Sequence, residues 1–206
     1  MNATILPNNK KHYPVLLDKI LSIISPQNGG TFIDCTFGQG GYSKSILEFK
    51  GTTVIALDRD QECNNIAIEI KKKNKDRFTF FNKKFSELNK IDFDKSKLKA
   101  IIFDLGCSYN QIKDPNKGLS FDSKGKLNMM LGQNNFSASD VINKLDQKDL
   151  ELIFKYFGED KDSKIISKRI VKDRADKEID TEKLIKIINS VKKKRKSKIH
   201  NATKIF

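Results

Sequence analysis

The 206-residue chain has no tryptophan, only two histidines and only three cysteines. Cys35, Cys63 and Cys107 are odd in number, and none belongs to a CxxC pair. That argues against a disulfide framework or a cysteine-rich zinc site and fits a reducing cytoplasm. His12 and His200 stand far apart, short of the three or four ligands a metal site needs, so no metal is expected. No apolar run approaches the ~18 residues of a membrane span, so no membrane partner is expected either. The amino terminus, MNATILPNNKKHYPVLL, has no apolar block ahead of a small-residue cleavage site, so no secretory signal is expected. There is no GxxxxGK[ST] string, which removes a P-loop nucleotidase.

Acid is the scarcer charge. Forty Lys and Arg face 26 Asp and Glu, for a net charge of +14. Residues 151–206 hold 17 of the cations against nine acids, and the charge peaks in Lys192 to Lys198, KKKRKSK. Such a cluster can neutralise phosphates and release counterions, the main source of nucleic-acid affinity. Charge alone leaves a second reading open. Only five cations are Arg, and the chain is also rich in Ile and Asn, residues that AT-rich coding favours together with Lys. With 37% hydrophobic residues the chain can bury a core, and its length suits one domain or a domain carrying a large insertion.

Residues 12–104 alternate between helical and strand-like periodicity, which predicts an α/β fold with a mostly parallel sheet. The expected elements are a helix over His12 to Ile24, a strand over Thr31 to Cys35, and a helix over Ser43 to Phe49. A strand over Thr53 to Leu57, a helix over Glu62 to Lys73, and strands over Phe78 to Phe81 and Ala100 to Phe103 follow. The Lys-rich stretch between the last two strands shows no clear pattern. Residues 112–135 read as loop. Helices are then expected over Ser137 to Leu145, Asp149 to Phe157, Asp162 to Asp176 and Thr181 to Lys194, with Ser137, Asp149 and Thr181 as N-cap candidates.

Three features meet at the carboxyl ends of the expected strands. A glycine-rich turn, Gly38 to Gly41, follows the first strand, where backbone amides at a helix start can approach a ligand closely. Asp58 closes the second strand 20 residues after Gly38, a spacing that suits a carboxylate accepting hydrogen bonds from ribose hydroxyls. Asp104 ends the fourth. Singly each is weak; in this order they favour a nucleoside-cofactor site. The turn reads GQGG rather than GxGxxG, with bulky Tyr42 directly after it. That disfavours a dinucleotide oxidoreductase and suits a smaller zwitterion such as S-adenosylmethionine.

The strings HYPVLL (12–17), FIDCTFGQGGYSKSIL (32–47), IALDRD (55–60), FDLGCSYNQ (103–111), KGLSFD (117–122) and HNATKIF (200–206) occur in fixed order. Together they resemble the RsmH (MraW) family, which methylates the exocyclic N(4) amine of a decoding-site cytosine in small-subunit (16S) ribosomal RNA. The resemblance implies a Rossmann-like class I S-adenosylmethionine-dependent methyltransferase core over 1–111, an all-helical insertion over 112–198, and the start of a return to the core at 199–206. It implies cofactor contacts at Gly40, Gly41, Tyr42, Asp58, Phe85, Asp104 and Gln111. The candidate catalytic residues are Asp104 and Tyr109: Asp104, together with backbone carbonyls or side chains from Leu105 to Gln111, as hydrogen-bond acceptor for the amine, and Tyr109, which stands where the family has Ser, either stacking on the base or simply an exposed loop aromatic. Cys107 is expected to be a small packing residue, since methylation of an exocyclic amine needs no covalent nucleophile. The basic run would grip the rRNA backbone.

Departures from the family pattern fall in the same places. The family usually has His where Tyr42 stands, DLGVSSPQ where this chain has DLGCSYNQ, and LDMRM where it has Leu127-Asn128-Met129-Met130-Leu131. Family members also continue well beyond the segment matching His200 to Phe206, which implies that later core strands are missing here. A core without them would expose a sheet edge and leave room for a homodimer. These departures keep open an inactive fragment or an RNA-binding, ribosome-assembly scaffold.

Overall fold

Strands β1 (Gly30–Asp34), β2 (Thr52–Leu57), β3 (Phe78–Phe81) and β4 (Leu98–Ile102) form one sheet in the order β3-β2-β1-β4. Every pairing is parallel. This is a computed structural model that describes residues 14–123, 125–132, 134–192 and 199–206, with the backbone alone at 109 and 110. The chain divides into two compact units between Gly106 and Cys107, five residues ahead of the boundary read from sequence.

The central strands are apolar on both faces, as a covered parallel sheet requires. Phe32, Val54 and Ala56 point to one side, where they pack with Leu17, Ile46, Ala67, Ile70 and Phe78. Helices α1 (Leu17–Ile24), α2 (Gly41–Leu47) and α3 (Asn64–Asn74) supply that layer. Ile33, Cys35, Ile55 and Leu57 point to the other side, against Ile91 with Leu88 and Phe93. Right-handed crossovers explain the division. The steps from β1 to β2 to β3 run one way across the sheet and place α2 and α3 on one face. The step from β3 back to β4 runs the opposite way and lands on the other face. The Lys-rich stretch is therefore a cover built from two 3-10 turns, Phe85–Lys90 and Lys95–Lys97.

α1 begins at Leu17 rather than near residue 12, because Leu16 adopts the left-handed conformation, φ 53°, which a helix cannot pass through. His12 and Tyr13 lie outside the described residues. The other strands and helices of this unit fall within two residues of the expected positions.

The second unit contains a short α4 (Tyr109–Lys113), then α5 (Ala138–Lys144), α6 (Gln147–Tyr156), α7 (Ser163–Arg174) and α8 (Thr181–Val191). Its core gathers Leu127, Ile142, Leu150, Phe154, Ile166, Ile170, Leu184 and Ile188. On α7 the buried face alternates Ile166 and Ile170 with the small Ser163 and Ser167, which lets neighbouring helices approach. Ser137 caps α5 in a reciprocal pair with Asp140, as expected. The caps of α6 and α8 are Asp146 and Asp180 instead of Asp149 and Thr181. Those two aspartates keep extended backbone and accept from Asp149 N and Lys183 N, whereas Thr181 is already the buried first residue of its helix. The turn Asn201–Lys204 lies in this unit too, with Ala202 buried in the helical core.

Candidate functional site

The register sets the site. Asp34, last residue of β1, lies level with Ala56 of β2 on one side and Ile102 of β4 on the other. Two residues further along each chain come Thr36, Asp58 and Asp104. Strand order reverses between β1 and β4, the point where open α/β sheets bind ligands beyond their carboxyl ends.

Asp58 is held by the main chain. Its Oδ2 accepts from Gly38 N at 2.7 Å and its Oδ1 from Asp60 N at 2.9 Å, while its carbonyl accepts from Asn82 Nδ2 at 2.9 Å. The carboxylate thus faces the glycine turn with both oxygens oriented and lone pairs to spare. Gly40 has φ 72°, and a Cβ there would come within 2.8 Å of Ile70 Cδ1 and 3.0 Å of the Phe37 ring. At Gly41 a Cβ would fall 2.2 Å from Pro14 Cγ. Gly40 is needed for conformation and space, and Gly41, the first residue of α2, for space alone.

Tyr42 is buried, and its hydroxyl donates to the Val15 carbonyl. Burial, with the Asp104 and Asp34 carboxylates, pushes the phenol above its ordinary pKa. The side chain that stands where the family has His therefore braces the segment before α1. Phe85 opens the first 3-10 turn after β3 and meets Phe103 edge to face at 5.5 Å, both rings being about half exposed. Asp104 is exposed, and its N–H donates to Thr36 Oγ1 at 2.7 Å.

Asp34 lies beneath this mouth, fully buried. Its Oδ2 accepts from the Ser43 hydroxyl at 2.7 Å and its Oδ1 from Thr36 N at 3.3 Å. Burial, opposed by these hydrogen bonds and reinforced by Asp58, pushes its carboxyl up to about 6. The sequence pattern alone does not single out Asp34, Thr36, Ser43 or Asn82 as individual residues. The two-residue period from Asp34 to Thr36, which keeps both on one face, was the available signal.

Gln111 and Tyr109 belong to α4, in the second unit. Gln111 Oε1 accepts from Ser108 N at 2.9 Å, and its own N–H donates to Ser108 Oγ at 3.2 Å. The Tyr109 side chain lies outside the described residues. The segment 127–131 is pinned to the start of α5, with Ala138 N donating to the Asn128 carbonyl and Ser139 N to that of Leu127.

Cys107 is exposed, contrary to the expected packing role; Cys35 and Cys63 are the buried thiols. Burial pushes Cys35 up to about 11 and Cys63 higher still, which leaves both inert as nucleophiles. Lys192, first of the basic run, points inward to an ion pair with buried Asp160 and donates to the Asn201 carbonyl. Residues 193–198 lie outside the described residues. His200 stacks on Phe121 at 4.4 Å, and its Nδ1 accepts from Ala202 N. Among the described residues no group of three His, Cys, Asp or Glu is arranged to hold a metal, and no helix is long and apolar enough to cross a membrane. A cavity of about 450 Å³ lies within the helical unit, lined by residues from Ile153 to Glu159 and from Thr203 to Phe206.

A parallel sheet with helices on one face, a glycine turn after β1 and carboxylates after β2 and β4 define a Rossmann-like methyltransferase fold. Residues 9–206 match the MraW methylase family, and the chain belongs to it. It is 38% identical over 205 residues to ribosomal RNA small subunit methyltransferase H of Orientia tsutsugamushi (strain Ikeda), with 96% of this chain and 65% of that protein covered. The protein of the same name from Rickettsia bellii (strain OSU 85-389) is 42% identical, covering 95% of this chain and 64% of its own length. That of Anaplasma phagocytophilum (strain HZ) is 36% identical, with 95% and 69% covered. The chain thus spans about 65% of the length of the first two relatives.

Proposed function

We propose that this chain binds S-adenosylmethionine at the strand ends of its first unit and methylates the exocyclic N(4) amine of a decoding-site cytosine in 16S ribosomal RNA of the small subunit, in the cytoplasm. The observation that carries the reading is the Asp58 carboxylate, fixed by Gly38 N and Asp60 N on the mouth that also holds the glycine turn and Asp104. The donor set fits this cofactor. Asp58 has oriented lone pairs for two ribose hydroxyls, and three carboxylates (Asp34, Asp58 and Asp104) favour a positively charged ligand. Gly40 and Gly41 keep two positions of the turn free of side chains, and Phe85 and Phe103 offer apolar rings after β3 and β4. The family resemblance adds Gln111, a residue of the second unit, to the expected cofactor contacts.

When bound, S-adenosylmethionine supplies a methyl group made electrophilic by the sulfonium. The cytosine amine is a poor nucleophile, because its lone pair is delocalised into the ring. The protein must therefore hold the base, unstacked from its neighbours, with the nitrogen in line. Asp104 accepts a hydrogen bond from the amine as that nitrogen becomes tetrahedral, which favours the transition state over the planar ground state. Tyr109 is the candidate for stacking on the base, with its side chain outside the described residues.

Calorimetric titration tests the reading. The chain should bind S-adenosylmethionine and not NAD, and Asp58→Ala should abolish that binding while leaving the melting curve in place. Methyl transfer from labelled cofactor to small ribosomal subunits tests the substrate. A folded chain that takes neither cofactor would overturn the reading and favour an inactive RNA-binding or ribosome-assembly scaffold. Unchanged affinity in Asp58→Ala would remove the ribose assignment.

A further inference from the structure

We infer that Thr36 is a positioning residue of the crevice, clamping the turn after β1 to the loop after β4 at the point where strand order reverses. The inference rests on the cofactor reading above and assigns one of its supports. Backbone pairing between β1 and β4 carries on as far as Cys35 N donating to the Ile102 carbonyl at 2.9 Å. The next link across that gap is made by a side chain: Thr36 Oγ1 accepts from Asp104 N at 2.7 Å.

The hydroxyl is itself held in place. Thr36 N donates to Asp34 Oδ1, and Asp34 Oδ2 accepts from the Ser43 hydroxyl in the first turn of α2. A continuous chain of bonds thus runs from the β4 loop through Thr36 and Asp34 to the helix that follows the glycine turn. Asp34 is fully buried at the end of the central strand β1, so this chain is anchored in the interior, whereas Asp104 at its far end is exposed. Without the clamp, the Asp104 loop would have to find its place against solvent. The ligand would then meet the ordering cost on binding. Two near-isosteres separate the roles of this side chain: valine keeps the branch without the acceptor, and serine keeps the acceptor without the branch.

That difference supplies the test. Two quantities are measured on the full chain and on the Thr36→Val and Thr36→Ser variants: amide hydrogen exchange at Asp104 by NMR, and calorimetric affinity for S-adenosylmethionine. Loss of one positioning hydrogen bond should speed Asp104 exchange and weaken the cofactor about tenfold in Thr36→Val. Thr36→Ser should stay close to the native chain in both. A merely structural role for the methyl group predicts the reverse order, and that order would overturn the inference, as would native behaviour in both variants. Should the native chain bind no S-adenosylmethionine, the cofactor reading falls by itself. Exchange at Asp104 then still decides whether Thr36 holds the loop.

Discussion

Asp34→Asn separates the charge of the buried acid from its shape. Asn keeps an oxygen for Thr36 N and an amide for the Ser43 hydroxyl, so the hydrogen-bonded geometry has a near-isosteric replacement. The carboxyl is raised from 3.8 to about 6, first by burial and then by the nearby Asp58, with the Ser43 and Thr36 bonds opposing. Between those two values the folded protein keeps a proton that the unfolded chain has released. Stability contributed by this group is therefore complete below about pH 4 and is lost as pH rises towards and through about 6. The full penalty on the ionised form is about 3 kcal/mol. Between pH 4.5 and 7.5 the part expressed is about 2 kcal/mol. Asn carries none of it, so the stability of Asp34→Asn relative to the native chain should improve by that amount from pH 4.5 to 7.5. Other carboxylates titrate in both proteins and cancel in the comparison. Hydrogen exchange at Phe32 and Ile33, central in β1, reports opening of this sheet in particular. A difference between variant and native that stays flat with pH would mean that Asp34 is ionised throughout, and the burial argument would be wrong.

Two further outcomes test the packing. Gly40→Ala forces a left-handed alanine whose Cβ meets Ile70 and Phe37, at a cost of about 2–4 kcal/mol in urea unfolding; a loss under about 1 kcal/mol would show that the turn relaxes freely. Lys192→Met takes the cation from the Asp160 carboxylate, whose side chain is 3% exposed and whose Oδ1 keeps the Asp162 N–H, and should cost about 3 kcal/mol, part of it recovered by adding Asp160→Asn. Near-native stability in Lys192→Met would return that lysine to the pool of cations able to face RNA phosphates.

What the sequence made legible follows from how local each signal is. The strands are readable because apolar runs such as TFIDC and TVIAL follow glycines and reach an aspartate, Asp34 or Asp58, at or just past the strand end. Their parallel order followed from helical segments lying between them. Asp58 and Asp104 could be singled out because a strand-terminal carboxylate beside a glycine turn is a pattern in one dimension. The caps of α6 and α8 were misplaced by three residues and by one, since Asp146, Asp149, Asp180 and Thr181 are all adequate N-caps in isolation. Tertiary burial decided the second pair, with Thr181 drawn into the helical core and Asp180 left to cap. The cover formed by Leu88, Ile91 and Phe93 was hidden among lysines because it follows no helical or strand period. Its place on the second face is dictated by the handedness of the return from β3 to β4, a property of the topology. Thr36 is the same kind of case. Its hydroxyl gains a role only because β4 inserts beside β1 and brings Asp104 N within reach, so a residue 68 positions away in sequence defines what it does. Sequence can name the acids at the mouth of such a fold; the group that holds two strand ends together at the reversal point is specified only once the strand order is known.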